Sequence, residues 1–257
     1  MEFFETIIKI IGKYYNQFLR GIANTMIIAL ASTLAGLLLG IFAGVIRTAP
    51  ASKNKGVNIF QKVINFLISC YVEIFRGTPM MVQAMVIYWG YAYLSGGQTL
   101  PLIPSAIFIV SINTGAYMAE IVRGGIISID KGQFEGAKAM GMTHFQTMVH
   151  VIIPQVLKNI LPAVSNEFVI NIKDTSVLNV IGVAELYYQT QIAAKATFET
   201  FATYAISCVI YFVLTFTITR FLRFIEKKLD GKDDYTVCGS QSDFKSQFKV
   251  NDKEQRV

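Results

Sequence analysis

The chain has 257 residues, of which 53% are hydrophobic and only 16% charged, with a mean hydropathy of +0.47 and a formal net charge of +6. A soluble domain carries about a quarter charged residues, so this composition excludes an ordinary soluble globular protein. The positive excess points to lysine and arginine gathered on the cytoplasmic loops of a membrane protein, and not to a nucleic-acid partner.

Residues 1–20 place Lys9, Lys13 and Arg20 among apolar residues and read as an amphipathic segment lying in the membrane interface. Glu2 and Glu5 precede any apolar stretch and no small-residue cleavage site follows, so this is not the pattern of a cleavable signal. A bilayer core about 30 Å thick needs roughly 20 apolar residues per helical span. The first such run is 21–46, rich in Ala, Leu, Ile and Gly. Its Gly36, Gly40 and Gly44 form a G-x-x-x-G-x-x-x-G stripe suited to close helix contact, within the subunit or across a dimer. The apolar run 63–75 is interrupted by Glu73 and Arg76 and is too short to span alone, so the second span is placed at 78–94, able to draw on residues before Pro79. Tyr88, Trp89, Tyr91 and Tyr93 crowd its far end, as aromatics do at an interface. The third, fourth and fifth spans fall at 103–121, 160–184 and 201–221, giving a transmembrane domain over 21–229. The tail, 230–257, is polar, lacks apolar periodicity and reads as disordered.

The expected fold is therefore an all-α integral membrane protein with about five transmembrane helices. Basic residues orient it. Arg47, Lys53, Lys55 and Lys62 follow span one, Arg123, Lys131 and Lys138 follow span three, and Arg220, Arg223, Lys227 and Lys228 follow span five. These regions are expected in the cytoplasm, together with the C-terminus, and the N-terminus outside. Cys70, Cys208 and Cys238 are scattered, with no C-x-x-C pair. His144 and His150 lie six apart with no nearby cysteine, so no metal site is expected. No G-x-x-x-x-G-K-[ST] loop is present, nor any Ser/His/Asp constellation, so the chain is read as neither an ATPase nor another enzyme.

The region after span three, 133–155, reads QFEGAKAMGMTHFQTMVHVIIPQ. Phe134 to Met140 favours a short helix that Gly141 can end. Phe134, Ala137 and Met140 fall close to one face, which either docks in a partner's groove or packs on the chain's own bundle. Glu135, Ala137, Gly141 and Pro154 resemble the EAA loop of binding-protein-dependent ABC importer permeases, with Gly136 where the second alanine is usual. Four more segments resemble the polar amino acid branch of that family: YVEIFRGTPMMVQ (71–83), GAYMAEIVRGGI (115–126), NEFVINIKDTSVL (166–178) and VIGVAEL (180–186).

The resemblance implies a coupling helix formed by Phe134, Glu135, Gly136, Ala137, Met140 and Gly141, seated on separate ATPase subunits that carry the ATP and magnesium. It also implies two such ATPase subunits, a second permease chain identical or similar to this one, an extracytoplasmic amino acid binding protein, and a place in a bacterial inner or cytoplasmic membrane. No cofactor is expected in this chain itself.

Ionisable side chains within spans are costly, at least about 2.5–3.5 kcal/mol each at the centre of a helix. Span three carries Asn113, Tyr117 and Glu120, and span four Glu167, Asn171 and Asp174, each set at i, i+4, i+7 on one helix face. One reading is a substrate site between the two stripes, with Thr175 and Ser176 adding hydroxyls and the carboxylates holding an ammonium or guanidinium group. The other is an ion-pair network of Glu120, Arg123, Glu167, Lys173 and Asp174 that only holds helices together. Glu120 is assigned to the network, beside Arg123. An ion-coupled carrier or gated channel using the same carboxylates is the competing function, and it leaves the loop helix unexplained.

Overall fold

Long runs of Ala, Leu, Ile and Phe with few interior breakers leave the backbone one way to satisfy itself inside a bilayer, which is to coil. In the computed structural model, which describes residues 2–52 and 54–229, every regular element among the described residues is helical. They are α1 (Glu2–Thr48), α2 (Lys55–Gly77), α3 (Met80–Leu94), α4 (Leu102–Ile127), α5 (Lys131–Ala139) and α6 (His144–Thr147). A π-helical turn (Met148–Ile152), α7 (Ile153–Asp174), a 3-10 segment (Thr175–Ile181), α8 (Leu186–Thr197) and α9 (Thr200–Leu229) complete the chain. Five helical stretches are long and apolar enough to cross a membrane. The tail expected to be disordered, 230–257, lies outside the described residues.

Two boundaries differ from the sequence-based expectation. First, residues 1–20 are not a separate interfacial segment, because α1 runs unbroken through 47 residues, about 70 Å at 1.5 Å per residue. Ile10, Tyr14 and Phe18, one turn apart, bury against Leu186 and Ala193 of α8 and Ala202 and Ile206 of α9. Lys9, Lys13 and Arg20 point outward. Second, the long helix after α1 is Lys55–Gly77, whereas α3 has only 15 residues. Helix α2 is amphipathic. Phe60, Val63, Phe66, Leu67 and Ile74 are exposed as a lipid-facing side would be, and its only buried residue is Val72. Tyr71 of α2 bonds the Ile112 carbonyl of α4 and Val72 packs on Ala119, while Tyr88 of α3 packs on Ala106 and Ile109 nearer the other end of α4. Helices α2 and α3 thus run the length of α4 together as one crossing, broken at Gly77–Pro79.

The glycine stripe resolves to a contact within the chain. A Cβ on Gly36 would lie 2.9 Å from Thr114, on Gly40 2.4 Å from Met118, and on Gly44 2.7 Å from Val122. Gly115 of α4 returns the fit, 3.1 Å from Leu39. With no side chain in the way, α1 and α4 approach closely from Gly36 to Gly44, about two turns. Helix α7 joins them through a buried chain of hydrogen bonds. Asn171 donates to Thr33 of α1 (2.8 Å) and accepts from Thr114 of α4 (3.1 Å).

Candidate functional site

The two polar stripes do not face each other. The α4 residue that bonds Asn171 of α7 is Thr114, about 100° round the helix from Asn113. Asn113 turns instead to the break between α2 and α3, where the last carbonyls of α2 have no helical partner. Its amide nitrogen donates to the Phe75 carbonyl (3.3 Å) and to Gln83 Oε1 (2.8 Å). Gln83 Nε2 donates to the Phe75 and Thr78 carbonyls, both at 2.9 Å. Asn113 and Asn171, both expected to touch substrate, here make hydrogen bonds between helices.

Further along α4, the Arg76 guanidinium lies 5.3 Å over the Tyr117 ring. Glu120 accepts from Arg123 at 2.9 Å and from Arg47, at the end of α1. The expected Glu120–Arg123 pair is thus present, and Arg47 is a partner that sequence reading did not supply. A cavity of about 540 Å³ opens between these residues and the polar side of α2.

On α7, Glu167 is buried at 5% exposure and Asp174 is half-buried where the α-helix tightens into the 3-10 segment. Lys173 is exposed. Thr175 is fully buried and its hydroxyl donates to the Ile172 carbonyl, so it presents nothing to a ligand, while Ser176 is only half-buried.

Helix α5 starts on Asp130, whose carboxylate caps Gly132 N–H (2.7 Å), and ends on Gly141 at φ +79°. Met142 N–H reaches the Ala137 carbonyl (3.1 Å) and Gly141 N–H the Lys138 carbonyl (3.0 Å), the paired bonds of a Schellman cap. The face of Phe134 and Ala137 is not free. Ala137 is 2% exposed and Phe134 packs on the cluster of Val122, Ile152 and Val156. The solvent side of α5 carries Lys131, Gln133, Glu135, Gly136, Lys138 and Ala139, followed by Met140 and with Phe145 of α6 beside them, Met140 and Phe145 each 74% exposed.

Residues 36–231 match the family of binding-protein-dependent transport system inner membrane components. The chain belongs to that family. Among similar proteins, the arginine transport system permease ArtQ of Bacillus subtilis (strain 168) is 34% identical over 84% of this chain and 93% of its own length. The glutamine transport system permease GlnP of Escherichia coli (strain K12) is 33% identical over 82% and 92%. A crystal structure of an amino acid ABC transporter with histidines superposes with a TM-score of 0.71 at 36% identity, covering 85% of this chain and 96% of that one. The protein is thus a multi-span permease subunit of a family of bacterial inner-membrane transport systems.

One structural residue of the permease is not singled out by the sequence beyond its place in the VIGVAEL segment. Glu185, fully buried outside the five spans, caps α8 through the Tyr187 and Tyr188 N–H groups (2.8 and 2.7 Å) and accepts from Tyr211 of α9 (3.0 Å). Burial lifts its carboxyl above the usual carboxylate range, against the pull of those three donors. Asn24 and Thr25 of α1 bond Ala184 and Leu186 on either side. A lone acid at the start of a loop helix looks the same in sequence whether it is a cap or a solvated surface charge.

Asn113→Leu separates the two roles open to that residue. If it serves the α2–α3 break, the permease loses about 1–3 kcal/mol because Gln83 Oε1 is left buried without its donor, and thermal denaturation in detergent shifts down by several degrees. If it serves substrate, ligand binding falls while the melting temperature holds.

Proposed function

We propose that this permease is the membrane subunit of an ATP-driven importer for a polar amino acid. It receives its cargo from an extracytoplasmic binding protein and is driven by two separate ATPase subunits. The observation that carries the reading is α5, a capped helix between two polar spans that leaves Gly136, Met140 and the neighbouring Phe145 uncovered. A partner groove accounts for apolar side chains left open at the end of the bundle. The glutamine and arginine systems to which the similar permeases belong support an amino acid as cargo.

In this reading the end of the bundle carrying α5 faces the cytoplasm, the N-terminus lies outside, and two permease chains, identical or similar, assemble around the pathway. Glu167 and Asp174 on α7 hold the ammonium or guanidinium of the substrate, with Ser176 beside them. Uptake into proteoliposomes by the complex should require both ATP and the binding protein. Uptake that follows an ion gradient and persists without any ATPase subunit would replace this reading with an ion-coupled carrier. Glu167→Gln and Asp174→Asn should each lower uptake at least about tenfold, the worth of one charge-assisted contact, with complex assembly unchanged. Uptake within twofold of wild type would assign both carboxylates to helix packing alone.

A further inference from the structure

Helix α9 changes character two thirds of the way along. Its first 20 residues, 200–219, carry no charge. At 1.5 Å per residue they make about 30 Å of helix, the thickness of a bilayer core. The stretch 220–228 then holds Arg220, Arg223, Lys227 and Lys228. The four cations thus arrive where hydrocarbon gives way to headgroups. All four are exposed, and among the described residues none makes an ion pair. At 100° per residue they lie on one side of the helix, within an arc of about 160°. The same arc holds Phe216, Phe221 and Phe224, whose rings are also exposed. The Arg220 guanidinium lies 5.0 Å over the Phe216 ring. Leu222, Ile225 and Glu226 are half-buried and fall outside the arc, so the one carboxylate of the stretch is not among the cations.

Neither water nor hydrocarbon alone suits such a face. Water leaves three phenyl rings open, and hydrocarbon leaves four unpaired charges. A protein groove would have to offer apolar pockets and several carboxylates together at the level of the membrane surface. The headgroup layer offers both requirements at the right heights, with phosphates above and acyl chains just below. Long cationic side chains reach up to the phosphates while their apolar stems and the neighbouring rings stay at the chain boundary. The guanidinium fork matches two phosphate oxygens, and a lysine meets them as a point charge. A cluster of four to eight such cations directly beyond a membrane-spanning helix is the pattern that holds anionic lipid.

We propose that this side of α9 is a binding surface for anionic phospholipid, with headgroup phosphates on Arg220, Arg223, Lys227 and Lys228 and acyl chains against Phe216, Phe221 and Phe224. It rests on α9 as a membrane crossing and not on the identity of the cargo, so it stands or falls separately from the importer reading.

The test uses the full-length permease, with any subunits that co-purify, stripped of lipid in detergent. It is incubated with equimolar phosphatidylglycerol and phosphatidylcholine of identical chains, and the retained lipid is counted by mass spectrometry. Wild type should retain phosphatidylglycerol over phosphatidylcholine at least about tenfold, since each cation near an anionic headgroup contributes about fivefold. Replacing Arg220, Arg223, Lys227 and Lys228 together with glutamine should bring the preference to within about twofold. Lys55→Gln with Lys62→Gln removes two exposed cations from α2 and should leave it within about twofold of wild type. No preference in wild type, or one unchanged in the fourfold variant, overturns the proposal. Equal loss from the α2 pair also overturns it, because diffuse positive charge would then suffice. If the fourfold variant does not fold, Arg223→Gln and Lys227→Gln are read singly. Each should lower the preference about threefold or more, and no change in either overturns the surface. Soluble glycerol phosphate at the same concentration should displace none of the lipid, and displacement would assign the cations to free phosphates instead.

Discussion

Replacing Gly40 with leucine should deplete folded protein almost completely. A Cβ at this position would lie 2.4 Å from the Met118 Cβ and 2.7 Å from its backbone carbon. The backbone atom cannot rotate away as a side chain can, so α1 and α4 must move apart. Overpacking alone costs about 1–3 kcal/mol. Separation also strains the Thr33–Asn171–Thr114 hydrogen bonds that link three helices. Together these approach the whole stability of a marginal fold, about 5–15 kcal/mol. Size-exclusion profiles of detergent extracts should show loss of the monodisperse peak. Gly12→Ala is the control, since nothing lies within 4 Å of a Cβ there, and alanine favours the helix by about 1 kcal/mol. A normal Gly40→Leu profile would mean that the stripe tolerates a gap and that the close fit is dispensable.

Replacing Gly136 with arginine should give the opposite phenotype, an intact permease that no longer transports. A Cβ at Gly136 meets nothing within 4 Å and the residue is exposed, so the chain's own fold loses nothing and the helix gains propensity. A docked partner would meet a long charged side chain at the contact. Melting temperature and membrane insertion should match wild type, while ATP-driven uptake falls more than about tenfold and the ATPase subunit no longer co-purifies. Gly136→Ala should be near neutral. Gly141 is a poorer probe, because its φ of +79° strains any replacement whatever the partner does. Normal uptake by Gly136→Arg would place the dock elsewhere.

Helix content and the number of crossings were legible because apolar length alone decides them. What apolar length could not show is where a helix ends when charges lie on a cavity side. Glu73 and Arg76 read as the edge of a span, yet α2 carries them on one face and greasy residues on the other. Periodicity likewise groups Asn113 with Tyr117 and Glu120 without saying what they meet. Thr114, the next residue, holds the contact to α7 that the stripe was expected to make. Phe134 and Ala137 share a face as the spacing required, but the face turns inward because Val122, Ile152 and Val156 offer it apolar surface. The glycine stripe announced a close partner, and only the fold identified α4 as that partner. Arg47 and Glu120, 73 residues apart, could not be paired by any local rule.

The seam between α1 and α4 also sets how force can travel. Helices that interlock with no room for a methyl group can neither slide nor twist against each other, so the pair behaves as a two-rod beam. Helix α5 hangs from one end of that beam, only three residues past α4. A push on α5 is then delivered as a tilt of the whole beam. Regular helical bonding lapses at the Gly77–Pro79 break, at the π-helical turn Met148–Ile152 and at the 3-10 turn after Asp174, and bending would gather at such places. The first adjoins the cavity and the last adjoins the α7 carboxylates, so a lever swung from below would flex at both.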